Sequence, residues 1–145
     1  MRQLTHFLPR QTPADATLTI PYAKRQHSRF RTRLDSGEEV GVILKRGSIL
    51  RSNDRLGDNT GFVVGVKAAC EKVSTVHGSS KQELARVAYH LGNRHVALQI
   101  GAGWVRYSHD HVLDQMVEQL GLEVVVERAE FEPEAGAYMR HFHNE

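Results

Sequence analysis

Residues 80–92 read Ser80-Lys81-Gln82-Glu83-Leu84-Ala85-Arg86-Val87-Ala88-Tyr89-His90-Leu91-Gly92, and their pattern decides the fold of the second half of the chain. Ser80 and Glu83 have capping-box spacing, in which each side chain satisfies a backbone N–H at the other residue. Leu84, Val87, Ala88 and Leu91 follow at i, i+3, i+4 and i+7, the apolar stripe of an amphipathic helix. Gly92 then offers a residue that takes the left-handed conformation at a helix end without steric cost.

On either side of this helix the hydrophobic period drops to two. Residues 71–76 form a strand candidate, and His77-Gly78-Ser79 separates it from the helix. After the helix, Val96, Leu98 and Ile100 alternate with His95, Ala97 and Gln99, which starts a strand at about His95. Gly101-Ala102-Gly103 makes a tight connection into residues 104–107, giving a hairpin. Asp110 or Ser108 caps a second helix that carries Val112, Leu113, Met116, Val117 and Leu120 and stops at Gly121. A last strand covers residues 123–127. The order β-α-β-β-α-β is that of the ferredoxin-like split βαβ arrangement. Its helices cover one sheet face and leave the other to solvent or a partner.

The first half contains only short runs rich in branched and aromatic residues, at 17–20, 29–34, 39–44 and 62–69, separated by Asp35-Ser36-Gly37 and Asp58-Asn59-Thr60-Gly61. These are strand and turn signatures. The fold class is therefore α+β in two domains. Residues 1–70 form an all-β small sandwich or barrel, and residues 71–138 form the ferredoxin-like domain. Residues 139–145 are a flexible tail, the end of a stretch, 131–145, that shows no period and is expected to be a mobile extension. In residues 29–34, Phe30, Thr32 and Leu34 alternate with Arg29, Arg31 and Arg33, which puts three guanidiniums on one sheet face. That face is either simply solvated or a surface for an anionic partner.

Charge follows the same division. Residues 1–67 hold twelve Lys plus Arg against six Asp plus Glu, whereas residues 68–145 hold seven against eleven. Two units with different partners fit that asymmetry. With 40% hydrophobic and 25% charged residues, disordered and fibrous classes are excluded. No apolar stretch approaches the roughly 18 residues of a membrane span, and the N-terminus has no apolar signal core, so a cytoplasmic protein without membrane contact is expected. The single cysteine, Cys70, makes neither an internal disulfide nor a thiolate zinc site; beside an apolar strand it is expected to be a buried, inert thiol. Nucleophile-elbow, zinc-protease and P-loop motifs are all missing, which argues against an enzyme.

Any metal chemistry rests on imidazole, carboxylate or backbone, and the chain has nine histidines. Seven of them follow residue 70. His95 belongs to the polar set of its strand and is expected to point away from the helices. His109 and His111 form a His-x-His pair at the start of the second helix, where both imidazoles can face one ion, and His141 and His143 repeat the spacing in the tail. Taken singly, each of these histidines is equally a hydrogen-bonded or exposed side chain with no ligand role. His6, His27, His77 and His90 are read in that way.

His90-Leu91-Gly92-Asn93-Arg94-His95, with Gln99 four residues later, resembles the hallmark segment of the UreE family of nickel metallochaperones. The resemblance continues through Tyr107-Ser108-His109-Asp110-His111-Val112-Leu113 and into Phe131-Glu132-Pro133-Glu134-Ala135-Gly136-Ala137-Tyr138. It therefore spans the second half; the first half is similar more loosely, through its size and residues 41–50 and 62–66. The resemblance implies an N-terminal domain like a chaperone peptide-binding domain and a ferredoxin-like domain that forms symmetric homodimers. The histidine matching His95 then lies at the dimer interface as a ligand of Ni(II), and His109 and His111 match peripheral metal positions. On that reading His141 and His143 are candidates to complete the interfacial site, Cu(II) or Zn(II) are alternative ions for the same or peripheral sites, and Gly78 stands near where some relatives have a cysteine. The implied function is delivery of Ni(II) for maturation of the urease active site, through the urease-activating GTPase and its accessory complex, without catalysis. The alternative is a binding module whose basic β domain grips nucleic acid or protein, with incidental histidines; it predicts salt-sensitive binding that survives nickel chelation. A small hydrolase ranks below both.

Overall fold

A computed structural model describes residues 1–135, all but the last of which fall into two units, Met1–Ala69 and Cys70–Glu134. The first is built from strands β1 (Arg2–Leu4), β2 (His6–Leu8) and β3 (Ala16–Ile20), a single helical turn α1 (Tyr22–Arg25), and strands β4 (Arg29–Arg33), β5 (Glu39–Ile43), β6 (Arg55–Gly57) and β7 (Val63–Ala68). The strands form a three-stranded sheet in the order β1-β5-β4 and a four-stranded sheet in the order β2-β6-β7-β3. Leu4, Val40 and Val42 from the first sheet share one core with Leu18, Ile20, Leu56, Val64 and Val66 from the second. The result is a small sandwich, held by the burial of branched side chains on the two inner faces. Arg29, Arg31 and Arg33 are exposed while Phe30 and Thr32 are half-buried, as their alternation predicts.

Asp58 organises the turn before β7. Its carboxylate accepts from the backbone N–H of Thr60 at 2.9 Å, the Thr60 hydroxyl at 2.8 Å and the Phe62 N–H at 3.0 Å, and from the Arg2 guanidinium at 2.7 Å. Burial alone pushes Asp58 up, but the Thr60 N–H, Arg2, the Thr60 hydroxyl and the Phe62 N–H outweigh it and hold the carboxyl far below the usual carboxylate range.

The second unit runs β8 (Cys70–His77), α2 (Lys81–Asn93), β9 (Gln99–Gly101), β10 (Trp104–Ser108), α3 (His111–Gln119) and β11 (Val124–Glu130). Its sheet order is β11-β8-β10-β9, with every neighbouring pair antiparallel. That is the expected split βαβ topology. Val76, Val105 and Tyr107 of the sheet pack with Val87 and Leu91 of α2 and Val117 of α3.

Several sequence expectations are corrected. The third strand begins at Gln99, not at about His95. Val96 and Leu98 alternate because both pack against the helix-side core, while their backbone groups bond to Leu91 of α2 and to Glu134 rather than to a ladder. The opposite sheet face is not left wholly to solvent. Gln99 and Thr75 flank Arg106 in register on that face, where the Gln99 Oε1 accepts from the Glu132 N–H at 2.9 Å and Arg106 Nε donates to the Thr75 hydroxyl at 2.9 Å. The Glu134 N–H also donates to the Leu98 carbonyl at 2.8 Å, and Phe131 is buried. Residues 131–134 are thus tied to the sheet instead of forming a mobile extension. Residues 136–145, including the tail 139–145, lie outside the described residues. Cys70 is exposed rather than buried, because it opens its strand ahead of the apolar positions. Among the described residues no helix is long and apolar enough to cross a membrane.

Candidate functional site

Helix α2 carries His95 at its C-terminal end. Ser80 caps the other end, its side chain accepting from the Glu83 N–H at 3.1 Å. The Glu83 carboxylate reaches one residue further back than the simple box requires and accepts from the N–H and hydroxyl of Ser79 at 2.8 and 2.6 Å. These Ser79 bonds hold Glu83 below its ordinary pKa. Val87 and Leu91 are fully buried, so the helix is fixed at its start and along its inner face.

The helix ends past Gly92, which stays helical; the left-handed residue is His95, with φ of 57°. The His95 N–H donates to the Gly92 carbonyl at 3.0 Å and the Val96 N–H to the Leu91 carbonyl at 3.3 Å. This paired arrangement is the Schellman motif, and Val96 packs against the core cluster to which Leu91 belongs. A side chain with a β-carbon costs about 1–2 kcal/mol in this backbone region. His95 is exposed, so no burial of its own ring offsets that cost. Strain of this kind concentrates at functional positions.

His109 and His111 occupy different settings. His109 follows β10, its N–H donating to the Lys72 carbonyl of β8 at 3.2 Å. Its Nδ1 lies 3.1 Å from Asp114 Oδ2 and 3.1 Å from the Ser74 hydroxyl. Asp110 caps α3, its side chain accepting from the N–H groups of Val112 and Leu113. His111 is therefore the first helical residue; it is exposed, with Nε2 3.3 Å from the Gln115 amide nitrogen one turn later. The pair thus splits into a half-buried ring held through Nδ1 and a solvent-facing ring on a helix start. His141 and His143 lie outside the described residues. Among the described residues no group of three or more His, Cys, Asp or Glu side chains is placed to hold an ion.

Two residues that sequence reasoning did not single out belong to the His109 environment. Asp114 is 7% exposed and Tyr107 fully buried, and the Tyr107 hydroxyl donates to Asp114 Oδ1 at 2.6 Å. Burial first, then the bond to Asp114 and its charge, push the Tyr107 phenol well above its ordinary pKa. The available signal is the placement of Asp114 three residues before the buried Val117, where a helix turns an acidic side chain toward the core.

Comparison with known proteins bears on the whole chain. Residues 3–69 match the sequence profile described as UreE urease accessory protein, N-terminal domain, and residues 71–145 match that described as UreE urease accessory protein, C-terminal domain. The chain is similar to the urease accessory protein UreE of Alkalilimnicola ehrlichii, 62% identical over 138 residues that cover 95% of this chain and 85% of the relative. It is similar to that of Pseudomonas putida, 52% identical with 93% and 84% covered, and to that of Shewanella halifaxensis, 47% identical with 95% and 80% covered.

Proposed function

The chain belongs to the UreE family of urease accessory proteins, and from that premise we propose that it serves urease maturation by binding Ni(II) as a homodimer and passing the ion on. The relatives are named as accessory proteins, not enzymes, and its own role is that of a chaperone. The observation that carries the nickel proposal is the exposed His95, held left-handed where glycine is the ordinary choice. An imidazole kept at a conformational cost on a rigid helix end is a presented ligand. In a two-fold interface a residue near the axis meets its own copy, so one histidine per chain supplies two imidazoles to one ion.

Support for the dimer comes from the surface of the second unit. Tyr89 on α2 is 65% exposed and Ile100 on the edge strand β9 is 55% exposed. Large apolar side chains left in solvent on so small a unit suit burial against a second copy. Two shared imidazoles, completed by water or by His141 and His143, form an open site from which a partner can take the ion, in contrast to a closed four-ligand cage. His109 and His111 act as peripheral ligands, and Cu(II) or Zn(II) compete at the same nitrogen donors. The urease-activating GTPase and the urease accessory complex in the cytoplasm are the receiving partners, with exposed Arg29, Arg31 and Arg33 as a docking surface for protein. Reversal of those three charges should weaken partner binding; unchanged binding removes that part of the proposal.

Nickel titration monitored by mass measurement in solution tests the central claim. The wild type should bind one tight ion per dimer and His95→Ala should lose it. Equal tight binding by both proteins would overturn the proposal.

A further inference from the structure

We propose that Asp114, steadied by Tyr107, is the positioning residue for His109, fixing the ring in the form that carries its proton on Nδ1 and leaves Nε2 free to bind a metal ion. The inference rests on His109 acting as a peripheral ligand and adds the residues that prepare it. An ionised carboxylate only accepts hydrogen bonds. Asp114 Oδ1 is taken by the Tyr107 hydroxyl at 2.6 Å, so Oδ2, 3.1 Å from His109 Nδ1, requires that nitrogen to be the donor. The Ser74 hydroxyl, also 3.1 Å from Nδ1, can accept from the same N–H, since a hydroxyl oxygen carries acceptor lone pairs. The Tyr107 hydroxyl, the Asp114 carboxylate and His109 Nδ1 are then satisfied by one arrangement of protons, and in a neutral ring that arrangement leaves the lone pair on Nε2.

The histidine side chain is 27% exposed and the Asp114 side chain 10%. An ion can therefore approach the ring from solvent while the carboxylate stays behind it. This is how metal-binding histidines are commonly prepared, with the second ring nitrogen donating to a carboxylate that fixes orientation and strengthens the donor. The alternative, a purely structural bond, does not explain why a helix buries a carboxylate between a phenol and an imidazole at the base of the His109-Asp110-His111 turn.

The test uses the full chain with nitrogen-labelled histidine, at a pH of about 8 where imidazole is neutral, and reads the His109 tautomer by long-range proton–nitrogen correlation without metal. The wild type should show Nδ1–H. In Asp114→Asn, the amide oxygen turns to the Tyr107 hydroxyl and the amide N–H groups turn to Nδ1, so the proton should move to Nε2 and nickel affinity at His109 should fall about tenfold. Tyr107→Phe, which disturbs the same buried cluster but keeps the carboxylate, should retain Nδ1–H. A wild type with Nε2–H, or an Asn variant that keeps both Nδ1–H and full nickel affinity, overturns the positioning role. Should Asp114→Asn not fold, the wild-type tautomer decides alone. A wild type with Nδ1–H whose His109 signals do not respond to added Ni(II) overturns the ligand role of His109, through a different signal.

Discussion

His95 and Gly121 hold the same position of the same helix-ending motif, one after each helix of the second unit. After α3 the Gly121 N–H donates to the Glu118 carbonyl at 2.9 Å and the Leu122 N–H to the Val117 carbonyl at 3.4 Å, which repeats the bonds made by His95 and Val96 after α2. Both residues have positive φ, 90° for Gly121 and 57° for His95. Glycine meets no steric cost there, whereas histidine does. The fold thus contains its own control for the cost of placing an imidazole at this site.

His95→Gly should therefore stabilise the second unit by about 1 kcal/mol and at the same time abolish tight nickel binding. His95→Ala should lose the metal without the gain, because alanine keeps the β-carbon. Gly121→Ala should destabilise by a similar amount, since the added carbon has open space around it and suffers only from the backbone. Urea unfolding followed by the fluorescence of Trp104 on β10 measures all three. A less stable His95→Gly would show that the imidazole contributes native contacts that outweigh the strain.

Asp110 stands between His109 and His111, the proposed peripheral ligands, and caps α3 through two N–H groups. Asp110→Ala should cost about 1 kcal/mol and loosen the first turn that carries His111. On the proposed sites, nickel binding beyond the first ion per dimer should weaken, while the binding that depends on His95 is retained. Isothermal titration resolves the two classes of site, and equal weakening of both would mean that the cap acts on the whole unit.

Much of this was legible in the sequence, and the exceptions have physical causes. The strip Leu84, Val87, Ala88 and Leu91 gave α2, and the order of periods gave the split βαβ fold. β1, β2 and β6 have three residues each, too few for alternation to show; they exist because partner strands supply their hydrogen bonds. Gly92 hid the true helix end, since a glycine normally takes the left-handed place and here a histidine does. His95 was legible as a candidate, but its strained backbone was not. Asp114 was missed because a single buried acid has no period; only the fold brings it against Tyr107 and His109.

Gln99 is predicted to act as a latch. It is the one side chain on β9 that accepts a backbone N–H from the segment after β11, beside the Arg106 guanidinium, which donates to the Glu130 carbonyl at 3.3 Å. Loss of one such bond is worth about 1 kcal/mol, or roughly a fivefold change in local opening. Gln99→Ala should accelerate amide exchange at Glu132 by that factor and leave Val105 and Val76 unchanged. Equal acceleration in the core strands would mean that Gln99 supports the whole sheet.

Acid should act first on the turn that Asp58 builds. Its folded-state pKa lies well below the usual carboxylate value because Thr60, Arg2 and Phe62 donate to the ionised form. The folded state therefore binds fewer protons than the unfolded one. The resulting stability is fully present above the unfolded value of about 4 and is lost as pH falls from there toward the folded value. Protection of the Thr60 and Phe62 amides, taken relative to the intrinsic exchange rate at each pH, should thus fall between about pH 5 and pH 3, ahead of that of the second-unit core. In Asp58→Asn those amides should exchange faster at pH 7, and the acid-dependent loss of protection should shrink. Arg2→Ala removes one of the four donors but not the backbone N–H groups, so it should lessen the same acid dependence without abolishing it. An Asp58→Asn protein that kept the full wild-type acid response would assign that response to another carboxylate.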